Sequence, residues 1–314
     1  MDYDVIVIGE VLVELSLTTE IHEGAVARLG FSGDALNQAA AAAAAGARVG
    51  LLTRVADDAL GAGILERVTA LGIDPGLIAL VDGQNGAYVT EADPTGTRAF
   101  SYLRGGSAAS RLSPDDVRAA DLDRAGYVLT SGITAALSDS ARDAVLAARR
   151  AARNFVYDPN FRPRLTEAPA AREILHQVAA GALVTPSYPA ETAALLDSDS
   201  PHEAAGRLLD LGSTSVVVTR GADGVTLAEG NEIVDLPVVP APAVVDQTGA
   251  GDAFTGTLAA RLALGDPLIE AARLGLAAAS LAVGGRGGTG RVPTLAETRR
   301  HLARHDPSGN PVVR

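Results

Sequence analysis

The stretch that decides the fold is a polar turn of small residues with one acid, and it reads Asp246-Gln247-Thr248-Gly249-Ala250-Gly251-Asp252-Ala253-Phe254-Thr255-Gly256. Phe254, Leu258 and Leu262 follow at helical spacing. Small residues in front of a helix leave its first N–H groups uncovered, and together with the positive end of the helix dipole these groups favour a phosphate or a developing negative charge. The pattern therefore predicts an anion site at the start of a helix.

Asp252 lies in the same turn, and its carboxylate can be interpreted in two ways. Beside a bound phosphoryl group it would accept the proton of an attacking hydroxyl, since phosphoryl transfer depends mainly on positioning and charge stabilisation. Alternatively, it is only an acidic first-turn residue that complements the helix dipole, which is the commoner role of Asp at such a position. The four residues from Gly249 to Asp252 do not separate these interpretations.

The wider window favours the first interpretation. The pattern Asp-x-Thr-Gly-Ala-Gly-Asp-Ala-Phe at 246–254 resembles the C-terminal signature of the ribokinase-like (PfkB) carbohydrate kinases. The resemblance implies that Asp252 is the general base and that the backbone of Gly249, Ala250 and Gly251 forms an anion hole. It also implies a three-layer α/β/α fold with a mainly parallel central sheet. Gln247 departs from the family, which usually carries Thr or Pro there.

Composition excludes several other chemistries. The 314 residues contain no Cys, which excludes disulfides, thiolate nucleophiles and Cys-based zinc sites. They also contain no Lys, which excludes Schiff-base enzymes and Lys-dependent P-loops. A net charge of −12 argues against nucleic acid or an anionic membrane as a partner. The acidic start, Met1-Asp2-Tyr3-Asp4, is unlike a signal peptide, so we expect a cytoplasmic protein.

Alternating strand and helix signals indicate an α/β fold. Val5 to Ile8 is an apolar run of strand length, which we expect to continue as a buried strand through Val11 to Val13. An Ala-rich helix to about Ala45 and a second strand at 49–55 follow. Short connections of this kind imply right-handed crossovers and a mainly parallel sheet. We expect one ribokinase-like domain over residues 1–314.

A different pattern begins at residue 86. Residues 87–90 and 99–103 flank the turn tetrapeptide Asp93-Pro94-Thr95-Gly96, which predicts a β-hairpin. The family resemblance implies that strands from about 10–32 and 86–108 form a lid over the sugar, and that two chains pair through it. Closure of a lid would exclude water, which competes as phosphoryl acceptor.

Residues 32–38 follow the first predicted lid segment and contain an acid and an amide. By local chemistry they are a loop that caps a helix. They also resemble the family pattern Gly-Gly-x-x-x-Asn, with Ser32 in place of the first Gly. That resemblance implies that Gly33, Asp34 and Asn37 bind sugar hydroxyls, for which a carboxylate and an amide are suitable partners.

Tyr88, Tyr102 and Arg104 lie on or beside the hairpin. A single Tyr on a strand usually packs and a single Arg is usually solvated. Tyr102 and Arg104 share one face by the two-residue strand period, however, and a hydroxyl beside a guanidinium suits a carboxylate. The runs at 102–110 and 129–138 resemble the 2-keto-3-deoxygluconate kinase branch of the family.

The segment Asp158-Pro159-Asn160-Phe161-Arg162 follows a predicted strand, so Asn160 and Arg162 should lie at a carboxyl edge of the sheet, where open α/β sheets bind ligands. It matches the family segment Asp-x-Asn-x-Arg. The resemblance implies that Arg162 binds a substrate carboxylate, for which a planar guanidinium is suited, and it places Asn160 near ATP.

Three further matches concern the nucleotide. The resemblance places Thr219, Gly221 and Gly224 of a strand-end turn near ATP, and Ser187 is the candidate to replace the Asn that the family has at position 188. Glu191 matches the acid that organises Mg²⁺ through water, although Tyr188 stands where the family has Asn. ATP and Mg²⁺ are the implied cofactors, and a monovalent cation is a further candidate.

These observations predict an ATP-dependent kinase that phosphorylates a hydroxyl of a sugar acid, with 2-keto-3-deoxygluconate as the first candidate. Another sugar, polyol or nucleoside kinase of the same family is the close alternative. A non-catalytic protein that binds a sugar or a nucleotide on the same fold is the alternative from a different class.

Overall fold

A computed structural model describes residues 2–91 and 100–305 of the protein. Its strands are β1 (Tyr3–Ile8), β2 (Leu12–Leu17), β3 (Ala27–Ser32), β4 (Val49–Ala56), β5 (Ile78–Val81), β6 (Gly86–Thr90), β7 (Phe100–Leu103), β8 (Ala125–Ser131), β9 (Phe155–Asp158), β10 (Ala182–Val184), β11 (Ser215–Thr219), β12 (Val225–Glu229) and β13 (Glu232–Leu236). Its α-helices are α1 (Asp34–Ala44), α2 (Ala59–Ala70), α3 (Pro114–Ala120), α4 (Gly132–Ala136), α5 (Asp139–Ala151), α6 (Ala168–Ala179), α7 (Ala190–Leu196), α8 (Pro201–Asp210), α9 (Ala250–Ala263), α10 (Leu268–Ala282) and α11 (Leu295–His305).

A nine-stranded sheet forms the centre of the fold, in the order β13-β12-β11-β10-β9-β8-β1-β4-β5. Pairing is parallel from β11 to β5, while β12 and β13 add an antiparallel edge. This confirms the predicted α/β fold with a mainly parallel sheet.

Side-chain alternation along β1 shows why both faces of the sheet are covered. Val5 and Val7 belong to one apolar cluster, with residues of α1, α9 and α10. Ile6 and Ile8 belong to a second cluster on the opposite face, with residues of α5, α6 and α8. Burying one such side chain contributes about 1.5–3 kcal/mol, so a strand that is apolar on both faces is stable only between two helical layers. The three-layer prediction is therefore confirmed.

A second, four-stranded sheet has the order β3-β2-β6-β7. Here the structure corrects one prediction, because Leu12 and Val13 do not continue β1. The chain leaves the central sheet after Ile8, and Leu12 begins β2, which pairs with β3 and β6. The apolar pattern could not show that break, since β1 buries its last four residues and β2 its first three.

The two strands of the predicted hairpin are confirmed, because β6 and β7 pair antiparallel with Tyr88 opposite Tyr102. Its predicted turn, at 93–96, lies outside the described residues. In the described part of the chain, no helix is both long enough and apolar enough to cross a membrane.

Candidate active site

A cavity of about 960 Å³ opens between the two sheets, at the carboxyl edge of the central sheet. Its walls combine the start of α1, the small sheet, the loops after β9 and β10, and the start of α9. The predicted site residues that line it are Gly33, Asp34, Asn37, Tyr88, Tyr102, Arg104, Asn160, Arg162, Ser187, Glu191, Thr219, Gly249, Gly251 and Asp252. Segments far apart in the sequence thus meet at one place.

The turn in front of α9 has the predicted form. Gly249 is its N-cap residue and has a φ of 80°, and a Cβ there would lie 2.9 Å from the carbonyl oxygen of Gly288. Both facts require glycine at this position. Asp246 shapes the turn, since Oδ1 accepts from the Thr248 N–H at 3.0 Å and Oδ2 accepts from the Gly287 N–H at 2.6 Å.

The three amides assigned to the anion hole are not equivalent. The Ala250 N–H donates to the Gln247 carbonyl at 3.2 Å. Among the described residues, the N–H groups of Gly249 and Gly251 have no such partner. A Cβ on Gly251 would meet no atom within 4 Å. The free donors at the positive end of α9 are therefore those of Gly249 and Gly251, and Ala250 supports the turn.

Asp252 faces the cavity from the first turn of α9 and is half-buried. Its Oδ2 accepts a hydrogen bond of 2.8 Å from Nδ2 of Asn37. Burial raises the pKa of Asp252 to about 7, the charge of Asp34 acts in the same direction, and the Asn37 bond and Arg162 oppose the shift. A carboxylate that titrates near neutrality, in a cavity and beside free amides, is suited to act as a general base.

Asp158 and Glu191 are further buried acids in the cavity wall. Glu191 accepts from the Phe161 N–H at 2.7 Å and from the Ser187 N–H at 2.8 Å. It therefore fixes the loops after β9 and β10, which carry Asn160 and Ser187 into the cavity. Burial raises the pKa of both carboxyls, and the charges of Glu191 and Asp252 add to the shift at Asp158.

The small sheet supplies an aromatic wall. The guanidinium of Arg104 stacks on the Tyr102 ring at 4.0 Å, as the shared strand face predicted. The Tyr88 ring lines the cavity, but its hydroxyl donates to Oε2 of Glu14, so that hydroxyl is already used within the small sheet. Tyr88 thus contributes apolar surface, and Arg104 contributes charge.

Arg162 is exposed at the cavity edge, where its Nη1 donates to the Phe161 carbonyl at 3.2 Å. Burial raises the pKa of Asp34, Asp158, Glu191 and Asp252, and the positive charge of Arg162 opposes that rise at each of them. Among the described residues it forms no ion pair of its own, so its guanidinium is available to an anionic ligand.

Two residues that were predicted to lie near ATP, Gly221 and Gly224, do not line the cavity. Gly221 occupies a short turn after β11, and a Cβ on it would meet nothing within 4 Å. Gly224 has a φ of 90°, and a Cβ there would lie 2.0 Å from the Leu236 carbonyl oxygen. Gly224 is therefore required by the close approach of β13, whatever else it does.

Sequence reasoning missed two polar residues of the site. Glu10 lines the cavity and pairs with Arg104. Gln38 is buried, and its Nε2 donates to Oδ2 of Asp158 at 3.2 Å. One sequence signal was available for Glu10, since an acid within two residues of the end of an apolar strand lies at the carboxyl edge of the sheet.

Comparison with known proteins places this site in a family. The model of the family described as pfkB family carbohydrate kinase matches residues 2–295. The chain belongs to the pfkB family of carbohydrate kinases. A 2-dehydro-3-deoxygluconokinase of Thermoproteus tenax is 35% identical over 306 residues, which cover 95% of this chain and 93% of that protein. A 2-dehydro-3-deoxygalactonokinase of Haloferax volcanii is 29% identical over 291 residues, which cover 90% of this chain and 91% of that protein.

A solved structure agrees with this pfkB assignment. A ribokinase II of Escherichia coli in complex with ATP and Mg²⁺ superposes with a TM-score of 0.86 at 26% identity, covering 96% of this chain and 99% of that one.

Proposed function

We propose that this pfkB kinase transfers the γ-phosphoryl group of ATP to a hydroxyl of a sugar acid, with 2-keto-3-deoxygluconate (2-dehydro-3-deoxygluconate) as the preferred substrate. The observation that carries the proposal is the position of Asp252 in the cavity, next to the free amides of Gly249 and Gly251. The names of the relatives from T. tenax and H. volcanii support a sugar acid as the acceptor.

The residues divide the chemistry as follows. The side chains of Asp34 and Asn37 and the backbone at Gly33 would hold sugar hydroxyls, while Arg162 and Arg104 would bind the carboxylate. Asp252 would accept the proton of the attacking hydroxyl. The amides of Gly249 and Gly251, at the positive end of α9, would stabilise charge on the transferred group.

The donor set fits a Mg²⁺ ion that is held mainly by phosphates and water. In the described residues no group of three or more His, Asp or Glu side chains could hold a metal ion. Each oxygen of Glu191 accepts one backbone amide and has a second lone pair for a water ligand. When bound, Mg²⁺ would neutralise phosphate charge beside an acidic cavity. Asn160, Ser187 and Thr219 are the proposed ATP contacts, and a monovalent cation is a further candidate cofactor.

A panel of acceptors tests the proposed substrate. We expect ADP release with 2-keto-3-deoxygluconate to exceed that with neutral ketoses, polyols and nucleosides by at least about tenfold in kcat/KM, because a neutral sugar leaves the cavity arginines without a partner. A coupled ADP assay measures this, with the galactonate epimer as the matched comparison. A higher kcat/KM for ribose, fructose or a nucleoside would contradict the sugar-acid proposal, and no ADP release with any acceptor would favour a non-catalytic binding protein.

We also propose that the small sheet is a lid and that two chains pair through its outer face. Strand alternation puts Leu15, Leu29 and Val89 opposite to the cavity side, and Leu103 lies on the same outer face. Leu29 is 53% and Leu103 is 65% exposed. Apolar side chains that adjoin on one face are typical of an interaction surface.

The double variant Leu29→Asp/Leu103→Asp tests this pairing. We expect the wild-type protein to sediment at twice the 31.8 kDa chain mass and the variant at the single-chain mass, since two buried charges would oppose the contact. Leu80→Asp, on the far edge strand β5 and 49% exposed, is the matched control and should remain dimeric. A wild-type monomer, or a variant that stays dimeric, would contradict the proposal.

A further inference from the structure

Glu10 is a buried carboxyl in the cavity wall to which the proposed function gives no role. It lies two residues after β1, its side chain is 1% exposed, and its Oε1 accepts from Nη1 of Arg104. Its Oε2 is shielded from solvent and has no hydrogen-bond partner among the described residues. An ionised carboxylate with one unsolvated oxygen is costly, so the protonated form is unusually accessible here.

Arg104 is the group through which Glu10 acts on a ligand. Its side chain is 9% exposed, stacks on Tyr102 and lines the cavity. Within the described chain its ion pair is with Glu10. A guanidinium has five N–H donors, so Arg104 can hold Glu10 and still offer an edge to a second carboxylate. Its single positive charge, however, is already balanced by Glu10.

Charge in the rest of the cavity makes that balance important. Asp34, Asp158, Glu191 and Asp252 are acids in the cavity wall, and besides Arg104 the arginines that line the cavity are Arg162 and Arg164. A carboxylate entering this cavity brings a further negative charge. If Glu10 stays ionised, little positive charge in the cavity is left uncompensated to bind the substrate carboxylate.

We propose that Glu10 is a positioning residue for sugar-acid recognition, which holds Arg104 against Tyr102 in the free enzyme and takes up a proton from solvent when the substrate carboxylate binds Arg104. The bound state then contains one guanidinium, one carboxylate and one neutral carboxyl, so the net charge of the group is unchanged by binding. The inference rests on the proposed function and extends it, because it makes selection of an anionic substrate depend on a proton.

The electrostatics of Glu10 support this step. The charged groups that act on it are Arg104, from the segment after β7, and Asp34, at the start of α1. Burial raises the pKa of Glu10 to about 7, Asp34 adds to the shift, and Arg104 opposes it. A second carboxylate near Arg104 raises that pKa further, since like charges disfavour ionisation. Proton uptake is therefore expected at and just above neutral pH.

Titration calorimetry of 2-keto-3-deoxygluconate without ATP tests the proposal. At pH 7.5, in buffers that differ in ionisation enthalpy, we expect wild-type enzyme to take up roughly 0.5–0.75 proton per bound sugar acid, and its Kd to weaken by up to about tenfold per pH unit above pH 7. Glu10→Gln keeps the size and is permanently neutral. We expect it to lose the uptake and to bind with a Kd that is nearly independent of pH.

Two control variants test whether Glu10 is the group that takes up the proton. Asp252→Asn removes a second cavity carboxyl whose pKa burial raises to about 7 and should keep the uptake, and Glu66→Gln, on the exposed face of α2, should behave as wild type. Buffer-independent binding by wild type, loss of the uptake in Asp252→Asn, or full uptake in Glu10→Gln would overturn the inference. The first two of these results need no Glu10 variant that folds well. Failure of every sugar acid to bind would overturn the proposed function itself, and the inference with it.

Discussion

Asp252→Asn is expected to lower kcat by roughly 10²- to 10⁴-fold, which is the usual contribution of a general base. The amide has nearly the same shape as the carboxylate and leaves the amides of Gly249 and Gly251 in place, so the affinities for ATP and for the sugar should change little. Single-turnover ADP formation and calorimetric binding measure the two quantities separately.

The controls for Asp252→Asn separate catalysis from folding and binding. Asp143→Asn, an exposed acid on α5, should retain wild-type kcat. If Asp252→Asn keeps more than about a tenth of wild-type kcat, Asp252 is only a first-turn acid of α9 and the base lies elsewhere. If wild-type enzyme binds the sugar but never releases ADP, the protein is a binding module.

The pH dependence of kcat is a second test of the role of Asp252. Burial raises the pKa of Asp252 to about 7. The base must be ionised, so kcat at saturating sugar should rise with pH through about 7 and level off above it. Asn37→Ala removes a hydrogen bond that opposes the raised pKa, so this rise should move to higher pH. Because proton uptake by Glu10 affects sugar binding, the profile must be taken at saturation.

The local sequence pattern was sufficient to predict those parts of the site that depend only on residues adjacent in the sequence. The turn at 246–252 is decided by glycines whose requirements are local, such as the positive φ of Gly249. The same holds for the shared face of Tyr102 and Arg104, which follows from strand alternation alone. Such features can be read from a few adjacent positions.

Partners distant in the sequence could not be predicted in this way. Glu10 and Arg104 are separated by 94 positions, and Gln38 and Asp158 by 120. These pairs form because α1, β9 and the small sheet meet at one edge of the central sheet. The Ala250 amide shows that prediction from sequence is limited even within one turn, since its N–H donates to the Gln247 carbonyl. Residue type gave no sign of which amides in the turn would be free.

The buried acids have one physical consequence for the whole cavity. Asp34, Asp158, Glu191 and Asp252 all have raised pKa values, with burial as the largest cause at each. An enzyme whose cavity carries this much potential negative charge binds an anionic sugar and a nucleotide only if cations face them. Arginine supplies these cations, because the chain contains no lysine, and a guanidinium adds a planar, bidentate contact for a carboxylate.

Arg162→Ala is therefore expected to lower kcat/KM for 2-keto-3-deoxygluconate by roughly 30- to 1000-fold, which corresponds to about 2–4 kcal/mol for the loss of charge-assisted hydrogen bonds. A neutral sugar should lose no more than a few-fold, since it has no carboxylate to bind. Arg162→Lys should fall between, because it keeps the charge but not the bidentate geometry. Arg164→Ala is the matched control, as Arg164 is also exposed and lines the same cavity two positions away. Equal losses for acid and neutral sugars would contradict the carboxylate role of Arg162, and a selective loss in Arg164→Ala instead would transfer that role to Arg164.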